Sequence, residues 1–134
     1  MPLFKSTCPN IQPIAFGQES VQRMLKESHL LITDYSSISW DFFYLDKPVI
    51  FYQFDSEDYL TYRGSYLDIE KDVFGDRVIS MQSLRDRIQY YIDNNFKIED
   101  KYKAIKPIYF KYSDKSNCKR IYHEIMKLQS GPPH

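Results

Sequence analysis

Two adjacent serines between two aspartates are the residues of this chain best suited to chemistry. Ser36 and Ser37 closely follow Asp34, and Asp41 stands four residues after the second serine. Residues 30–33 have strand-forming character, and the segment after the serines is compatible with a helix. Hydroxyl groups and the unpaired N–H groups of a helix start bind phosphate, which the helix dipole also favours. The segment therefore predicts a phosphate site in a strand–turn–helix unit.

Each of these residues also has a purely structural interpretation. Ser36 or Ser37 suits the N-cap of the helix, the dipole favours Asp41, and Asp34 is typical of a turn. A carboxylate repels phosphate, so we expect Asp41 to accept hydrogen bonds from ligand hydroxyls and Asp34 to orient the serines. Arg63, just before a glycine, is the candidate cation for a diphosphate and equally a candidate for a surface ion pair.

The elements around the serines form a βαβ pattern. The helix after them presents Ile38, Phe42 and Leu45 on one face, and Pro48 ends it. A second strand follows at residues 49–52. In open α/β sheets ligands lie at the carboxyl ends of the strands, which is where this pattern puts the serines.

The remaining elements are shorter or less regular. We predict a possible short strand at residues 11–16, a helix at 18–28, a loop with a helical turn from Phe54 to Phe74, and a strand at 78–79. Three helices follow: one capped by Ser80 and running to about residue 95, one ending near Pro107, and one from Ser116 to Leu128. The expected inward-facing residues of the first and last of these are Leu84, Ile88, Tyr91 and Ile92, and Ile121, Ile125 and Leu128.

Composition excludes several classes of function. Eighteen basic and eighteen acidic residues cancel, so there is no general case for nucleic acid as a partner or for an anionic membrane surface. The two cysteines, Cys8 and Cys118, are far apart and fit reduced thiols in a cytosolic protein. Histidines and cysteines are too scattered for a metal site, and no cofactor is expected. No apolar run approaches the length of a membrane span.

Length and strand count predict part of a larger domain. At 134 residues there is room for one domain. We assign residues 1–17 to a loop or linker, 18–129 to a partial Rossmann-like domain, and 130–134 to a disordered tail. Three or four short strands are fewer than a doubly wound sheet usually has. The fold class expected is α/β: a Rossmann-like parallel sheet flanked by helices that forms the second half of a nucleotide-binding domain.

An ordered series of short motifs resembles the C-terminal region of the CDP-glycerol glycerophosphotransferases, the bacterial enzymes that prime and polymerise wall teichoic acid. The resemblance is strongest from Glu19 to Asp68 and weaker at the last helix. The series consists of Ile-Thr-Asp-Tyr-Ser-Ser at 32–37, Asp41, Lys-Pro-Val-Ile-Phe-Tyr at 47–52, Asp55, Tyr59, Arg63-Gly64, Tyr66 and Asp68, with Asp114, Ser116 and Arg120 near the end.

The resemblance implies a two-domain transferase of GT-B type whose C-terminal domain holds the activated donor. Glycerol phosphate would pass from CDP-glycerol, or ribitol phosphate from CDP-ribitol, to a polyol-phosphate or lipid-linked acceptor, releasing CMP. By match, Ser36, Ser37 and Asp41 belong to the donor site. The catalytic histidines of the family lie upstream, and none of His29, His123 or His134 stands in a matching context. This chain is therefore expected to be inactive alone.

Two other classes remain open on the residues. One is a nucleotide-sugar glycosyltransferase of GT-B architecture, which uses a similar strand–turn–helix for its diphosphate. The other is a non-enzymatic α/β binding module, such as a phospho-receiver, although its acidic cluster and strand-end lysine are not visible. The expected location is the cytoplasm, with the parent enzyme peripheral at the inner face of the cell membrane.

Overall fold

A computed structural model describes residues 6–15, 17–34, 36–55 and 74–131 of the chain. Within these ranges the elements are α1 (Val21–Glu27), β1 (Leu31–Thr33), α2 (Ile38–Tyr44), β2 (Val49–Tyr52), β3 (Asp76–Val78), α3 (Met81–Asp93), α4 (Asp100–Tyr109) and α5 (Asn117–Gln129). The described part is α/β, as the sequence predicts. The loop expected between β2 and β3 lies mostly outside the described residues, which omit 56–73.

The three strands form a parallel sheet in the order β1–β2–β3. Ile32 pairs with Ile50, which in turn pairs with Asp76 of β3. The predicted βαβ unit is therefore confirmed as β1–α2–β2. β1 begins one residue later than predicted, and β3 begins two residues earlier. Because all strands run the same way, the residues that follow β1 and β2 lie side by side at one edge of the sheet.

Apolar side chains are buried on both faces of this sheet, and β2 contributes to both. Its alternating side chains place Val49 and Phe51 on one face and Ile50 on the other. The first cluster consists of Leu25, Phe42, Phe43, Val49, Phe51, Phe74 and Ile98. The second cluster consists of Ile50, Val78, Leu84 and Tyr91. Helices therefore pack against both faces of the sheet. The predicted inward residues Leu84 and Tyr91 of α3 lie in the second cluster.

Helix α2, which follows the serines, packs against the first cluster through its phenylalanines. Phe42 and Phe43 are buried, and Ile38 packs against the first cluster at its margin. The predicted inward position of Leu45 is wrong, since its side chain is 41% exposed. The helix ends at Tyr44, so Leu45 is the C-cap residue and lies outside the packed helical face, and the chain turns at the positive φ of Asp46.

A lysine fastens α1 to the segment before β2. The Lys47 ammonium donates to the carbonyl oxygens of Leu25 at 2.7 Å, Lys26 at 2.8 Å and Ser28 at 2.8 Å. These carbonyls stand at the end of α1, where helix groups lack internal partners and the dipole favours a cation. Lys47 therefore caps the carbonyl end of α1 from outside the helix.

A buried carboxylate ties α3 and α4 to β3. Asp76 accepts hydrogen bonds from the hydroxyls of Tyr91 at 2.7 Å and Tyr102 at 2.9 Å, and from the Arg87 guanidinium at 2.8 Å. Arg87 also pairs with Glu99. Burial and the Asp76 charge raise the pKa of both phenols. Burial alone would lower the pKa of Arg87, but its bond to Asp76 raises it.

Two predictions at the start of the chain need correction. Residues 11–15 form no strand, and their isoleucines are exposed; Phe16 lies outside the described residues. A strand needs a neighbour for its hydrogen bonds, and none pairs with this segment in the described sheet. The first helix is shorter than the predicted 18–28 because Ser20 caps it, accepting a bond from the Arg23 amide at 3.5 Å.

The apolar faces of the later helices are only partly buried. Leu84 and Tyr91 of α3 are buried as predicted, whereas Ile92 is 49% exposed, contrary to the prediction. The same correction applies to α5, in which no residue is buried: the predicted inward residues Ile121, Ile125 and Leu128 are all exposed. Pro107 lies in the last turn of α4, which ends two residues later.

Candidate functional site

The connection from β1 to α2 carries the predicted serines at the carboxyl edge of the sheet. We call Asp34, Ser36 and Ser37 the serine turn; residue 35 is not described. All three residues are exposed. The turn follows β1 directly, because the apolar strand ends at Thr33 and α2 begins at Ile38. Its position agrees with the prediction from the βαβ pattern.

Hydrogen bonds within this connection occupy the first amide groups of α2. The Ser36 carbonyl accepts from the Ser39 amide at 3.2 Å and from the Ser39 hydroxyl at 2.8 Å. The Ser37 carbonyl accepts from the Trp40 amide at 3.1 Å. The Ser36 hydroxyl accepts from the Ile38 amide at 3.4 Å. The expectation that these amides point unpaired at a ligand is therefore wrong.

The two serines differ in what they have left to offer a ligand. Ser37 occupies the N-cap position but makes no capping hydrogen bond with its side chain. Its hydroxyl has no partner within the described part of the chain, whereas the Ser36 hydroxyl already accepts one bond. Both hydroxyls keep an O–H donor for an anionic oxygen, and they differ in that the Ser36 oxygen also accepts from the first amide of α2 whereas the Ser37 side chain makes no bond there.

Asp34 anchors the turn through its backbone. The side-chain amide of Gln53 donates to the Asp34 carbonyl at 3.2 Å, and the guanidinium Nε of Arg77 donates to the other end of that amide at 2.8 Å. Neither Gln53 nor Arg77 is among the residues predicted from the sequence. A signal for Gln53 was present: it is the polar residue that directly follows the apolar strand β2, so a parallel sheet places it beside the residue that follows β1.

Asp41 lies one helical turn beyond Ser37, about 6 Å further along the axis at 1.5 Å per residue. It stands in the first turn of α2, as expected, and is exposed. Its carboxylate has no hydrogen bond or ion pair with another described residue. Together with Gln22, Leu25, Lys26, Tyr44 and Leu45 it lines a groove of about 230 Å³ between α1 and α2. The Asp41 carboxylate is thus an exposed hydrogen-bond acceptor at the edge of this groove.

The last predicted site residue, Arg63, lies outside the described residues. His29 packs its ring against Phe96, with the ring centroids 5.4 Å apart, which is a structural role. No group of three or more His, Cys, Asp or Glu side chains able to hold a metal occurs among the described residues. None of the described helices has the length and apolar character needed to cross a membrane.

A hydroxyl-bearing turn at the carboxyl ends of parallel strands is the usual ligand position in open α/β proteins. Comparison with known sequences gives the particular family. Residues 13–127 match the sequence model of the CDP-glycerol:poly(glycerophosphate) glycerophosphotransferases. The match covers most of the chain, and the chain belongs to this family. The resemblance seen in the motifs is therefore confirmed.

The names of the relatives described next refer to teichoic acid or its biosynthesis. The minor teichoic acid biosynthesis protein GgaB of Bacillus subtilis (strain 168) is 40% identical over 112 residues, which are 84% of this chain and 12% of GgaB. The ribitol-phosphate polymerase TarK of Staphylococcus aureus (strain NCTC 8325 / PS 47) is 35% identical over 107 residues, 80% of this chain and 20% of TarK.

A third relative shows the same partial overlap. The teichoic acid glycerol-phosphate primase of Bacillus subtilis (strain 168) is 32% identical over 110 residues, 80% of this chain and 27% of the primase. The chain therefore spans less than a third of the length of each of these three relatives. What the longer proteins do is accordingly a matter of proposal for this chain.

Proposed function

We propose that this chain is the donor-binding part of a glycerophosphotransferase of teichoic acid biosynthesis. The donor is CDP-glycerol or CDP-ribitol, and the polyol phosphate passes to a polyol-phosphate or lipid-linked acceptor with release of CMP. The observation that carries the proposal is the family match over residues 13–127, which includes the serine turn. The relatives support this substrate class, since their names include a ribitol-phosphate polymerase and a glycerol-phosphate primase.

Within this proposal the serine turn binds the diphosphate and Asp41 binds hydroxyls. The exposed Ser37 hydroxyl has no partner in the described structure and can donate to a phosphate oxygen. Asp41 lies one turn away, a separation that suits a ligand carrying phosphate at one end and hydroxyls at the other. A carboxylate accepts hydrogen bonds from hydroxyls and repels phosphate, so this division of roles follows from charge.

The donor site belongs to an incomplete domain in this proposal. Residues 18–129 form the C-terminal half of a Rossmann-like domain of GT-B type, which the three-stranded parallel sheet supports. In the family that the chain resembles, the catalytic histidines lie upstream of the serine motif, and we propose that this chain binds the donor without turning it over. The parent enzyme meets its acceptor in the cytoplasm at the inner face of the membrane, as a lipid-linked acceptor requires.

The first test is an NMR titration of the chain with CDP-glycerol, CDP and UDP-glucose. We expect amide shifts centred on Ser36, Ser37 and Asp41 with the two cytidine ligands and none with UDP-glucose. A Ser37→Ala variant is expected to bind CDP-glycerol more weakly. Ser130→Ala is the control, because Ser130 is an exposed serine that lies outside the residues 13–127 that match the family. Equal shifts with UDP-glucose would favour a glycosyltransferase instead.

The role of Asp41 has its own test. Asp41→Asn is expected to weaken CDP-glycerol but not CDP, because only the former carries the polyol hydroxyls. Asp93→Asn serves as the control, since Asp93 is an exposed carboxylate on α3 whose single partner among the described residues is its helix neighbour Gln89. An equal loss of affinity for both ligands in Asp41→Asn would show that the carboxylate supports the turn and does not contact the polyol.

A further inference from the structure

Gln53 is a buried polar side chain that joins three strand ends. It is only 3% exposed. Its side-chain N–H donates to the Asp34 carbonyl at 3.2 Å, and its side-chain oxygen accepts from Arg77 Nε at 2.8 Å. Its backbone amide donates to the Val78 carbonyl at 2.9 Å. Gln53 therefore connects the residue after β1 with two residues of β3.

The chemistry of this position is restrictive. A buried amide is costly unless both its donor and its acceptor are paired, and here both are. One planar group must donate on one side and accept from a guanidinium on the other. A glutamate carboxylate could only accept, and a methionine could do neither. The contact therefore specifies a neutral group with one donor and one acceptor.

We infer that Gln53 is a positioning residue for the serine turn: it holds the Asp34 carbonyl, and with it Ser36 and Ser37, in one hydrogen-bonded frame with Arg77. The ligand served is the phosphate-bearing donor, so this part of the inference rests on the proposed function. Gln53 does not contact the ligand. Its effect is to keep the turn hydroxyls in place before binding, which lowers the ordering cost of binding.

The first arm of the test uses the free chain. In Gln53→Glu at pH 7 the carboxylate keeps the Arg77 bond and loses the donation to Asp34. We expect the amide signals of Ser36 to Ser39 to shift and their hydrogen exchange to accelerate, while those of α1 and α3 stay unchanged. Gln82→Glu is the matched control, because the Gln82 amide also donates to an oxygen, that of Asp86, but on the exposed face of α3.

Lowering the pH gives a signature that a general loss of packing would not give. Protonated glutamate has one O–H donor and a carbonyl acceptor, so it can make both of the side-chain bonds that Gln53 makes. As the pH falls through the pKa of the introduced carboxyl group, the Ser36 to Ser39 signals of Gln53→Glu should return toward those of the wild type at the same pH. Gln53→Met has no proton to gain, so its altered signals should not return.

The second arm measures CDP-glycerol affinity in the same variants. We expect about tenfold weaker binding in Gln53→Glu at pH 7, the effect of one lost hydrogen bond to a buried group, and recovery at low pH relative to the wild type. Equal affinity together with unchanged Ser36 to Ser39 signals would overturn the inference. If the wild type binds no cytidine ligand, the proposed function fails, and the free-chain signals alone decide the role of Gln53.

Discussion

The backbone of the central strand passes close to Gly75, just before β3. A Cβ atom at this position would lie 2.3 Å from the Val49 carbonyl oxygen and 3.1 Å from a ring carbon of Phe51. The first of these is a backbone atom of the central strand, which cannot move without disturbing the sheet. The requirement for glycine here therefore comes from the space between β2 and β3.

Gly75→Ala is accordingly expected to lower the free energy of unfolding by about 1–3 kcal/mol, as overpacking usually does. The measurement is urea denaturation followed by circular dichroism. Gly131→Ala is the control, since a Cβ there meets its nearest neighbour at an ordinary 3.5 Å. If the two variants unfolded at the same urea concentration, β2 and β3 would not be packed as closely as described.

The two tyrosines that bond to Asp76 should make the free energy of unfolding decrease as the pH rises into the alkaline range. Burial and the Asp76 carboxylate raise the pKa of Tyr91 and Tyr102, so the folded chain keeps protons that the unfolded chain releases above about pH 10. Their contribution is complete below that pH and is lost as the pH rises. The free energy of unfolding should fall by up to about 1.4 kcal/mol per pH unit for each tyrosine.

The check is denaturant unfolding over the alkaline range in single Tyr→Phe variants. Tyr91→Phe and Tyr102→Phe should each flatten the pH dependence, whatever they do to stability at neutral pH. Tyr122→Phe should leave the slope unchanged, because the Tyr122 side chain is exposed and makes no hydrogen bond with the described residues. A slope that survives both buried substitutions would assign the alkaline transition to other groups.

At the scale of elements, α5 shows that an amphipathic helix does not always bury its apolar face. Its apolar residues recur at helical spacing, which correctly predicts a helix. However, Leu128 is 83% exposed, whereas Leu84 of α3 lies in the second cluster. Leu128→Ala should therefore change the free energy of unfolding by less than about 0.5 kcal/mol, and Leu84→Ala should cost about 2–5 kcal/mol.

Thermal and urea denaturation of these two variants make the comparison direct, because the substitution is the same in both. A cost for Leu128→Ala close to that of Leu84→Ala would mean that α5 packs its apolar face in solution. The pattern of a sequence shows which face of a helix is apolar. It does not show whether another element covers that face, which is why Ile121 and Ile125 were also assigned wrongly.

The sequence predicts an element correctly where residues within that element or next to it determine it. The apolar run after Pro48 predicts β2, and Ser80 predicts the start of α3, where its hydroxyl accepts from the Ser83 amide at 3.1 Å. The prediction of a strand at residues 11–16 was wrong because a strand also needs a neighbouring strand to pair with, which these residues do not indicate. Isoleucines at these positions indicate strand propensity only.

The same distinction holds for the candidate site. Ser36, Ser37 and Asp41 were placed correctly on the turn and the first helical turn because they are close in sequence. The bond between Gln53 and Arg77 joins residues 24 positions apart on neighbouring strands. Nothing near either residue in the sequence indicates that contact, and only the register of β2 against β3 produces it.

At the scale of the whole molecule, β2 is the only strand of the described sheet with neighbours on both sides. Its side chains also enter both apolar clusters, through Val49 and Phe51 on one face and Ile50 on the other. Unfolding of either cluster would therefore expose β2, which also contributes side chains to the other cluster. We expect the two clusters to unfold in one cooperative transition.

Trp40 makes this expectation testable, because it is the single tryptophan and it packs on the first cluster, with its ring centroid 4.4 Å from that of Phe74. Ile50→Ala removes buried volume from the second cluster and should cost about 2–5 kcal/mol. Urea unfolding followed by Trp40 fluorescence and by circular dichroism should then show the same lowered midpoint. If the Trp40 midpoint stayed at its wild-type value while the other fell, the two faces of the sheet would be separate units, and β2 would not couple them.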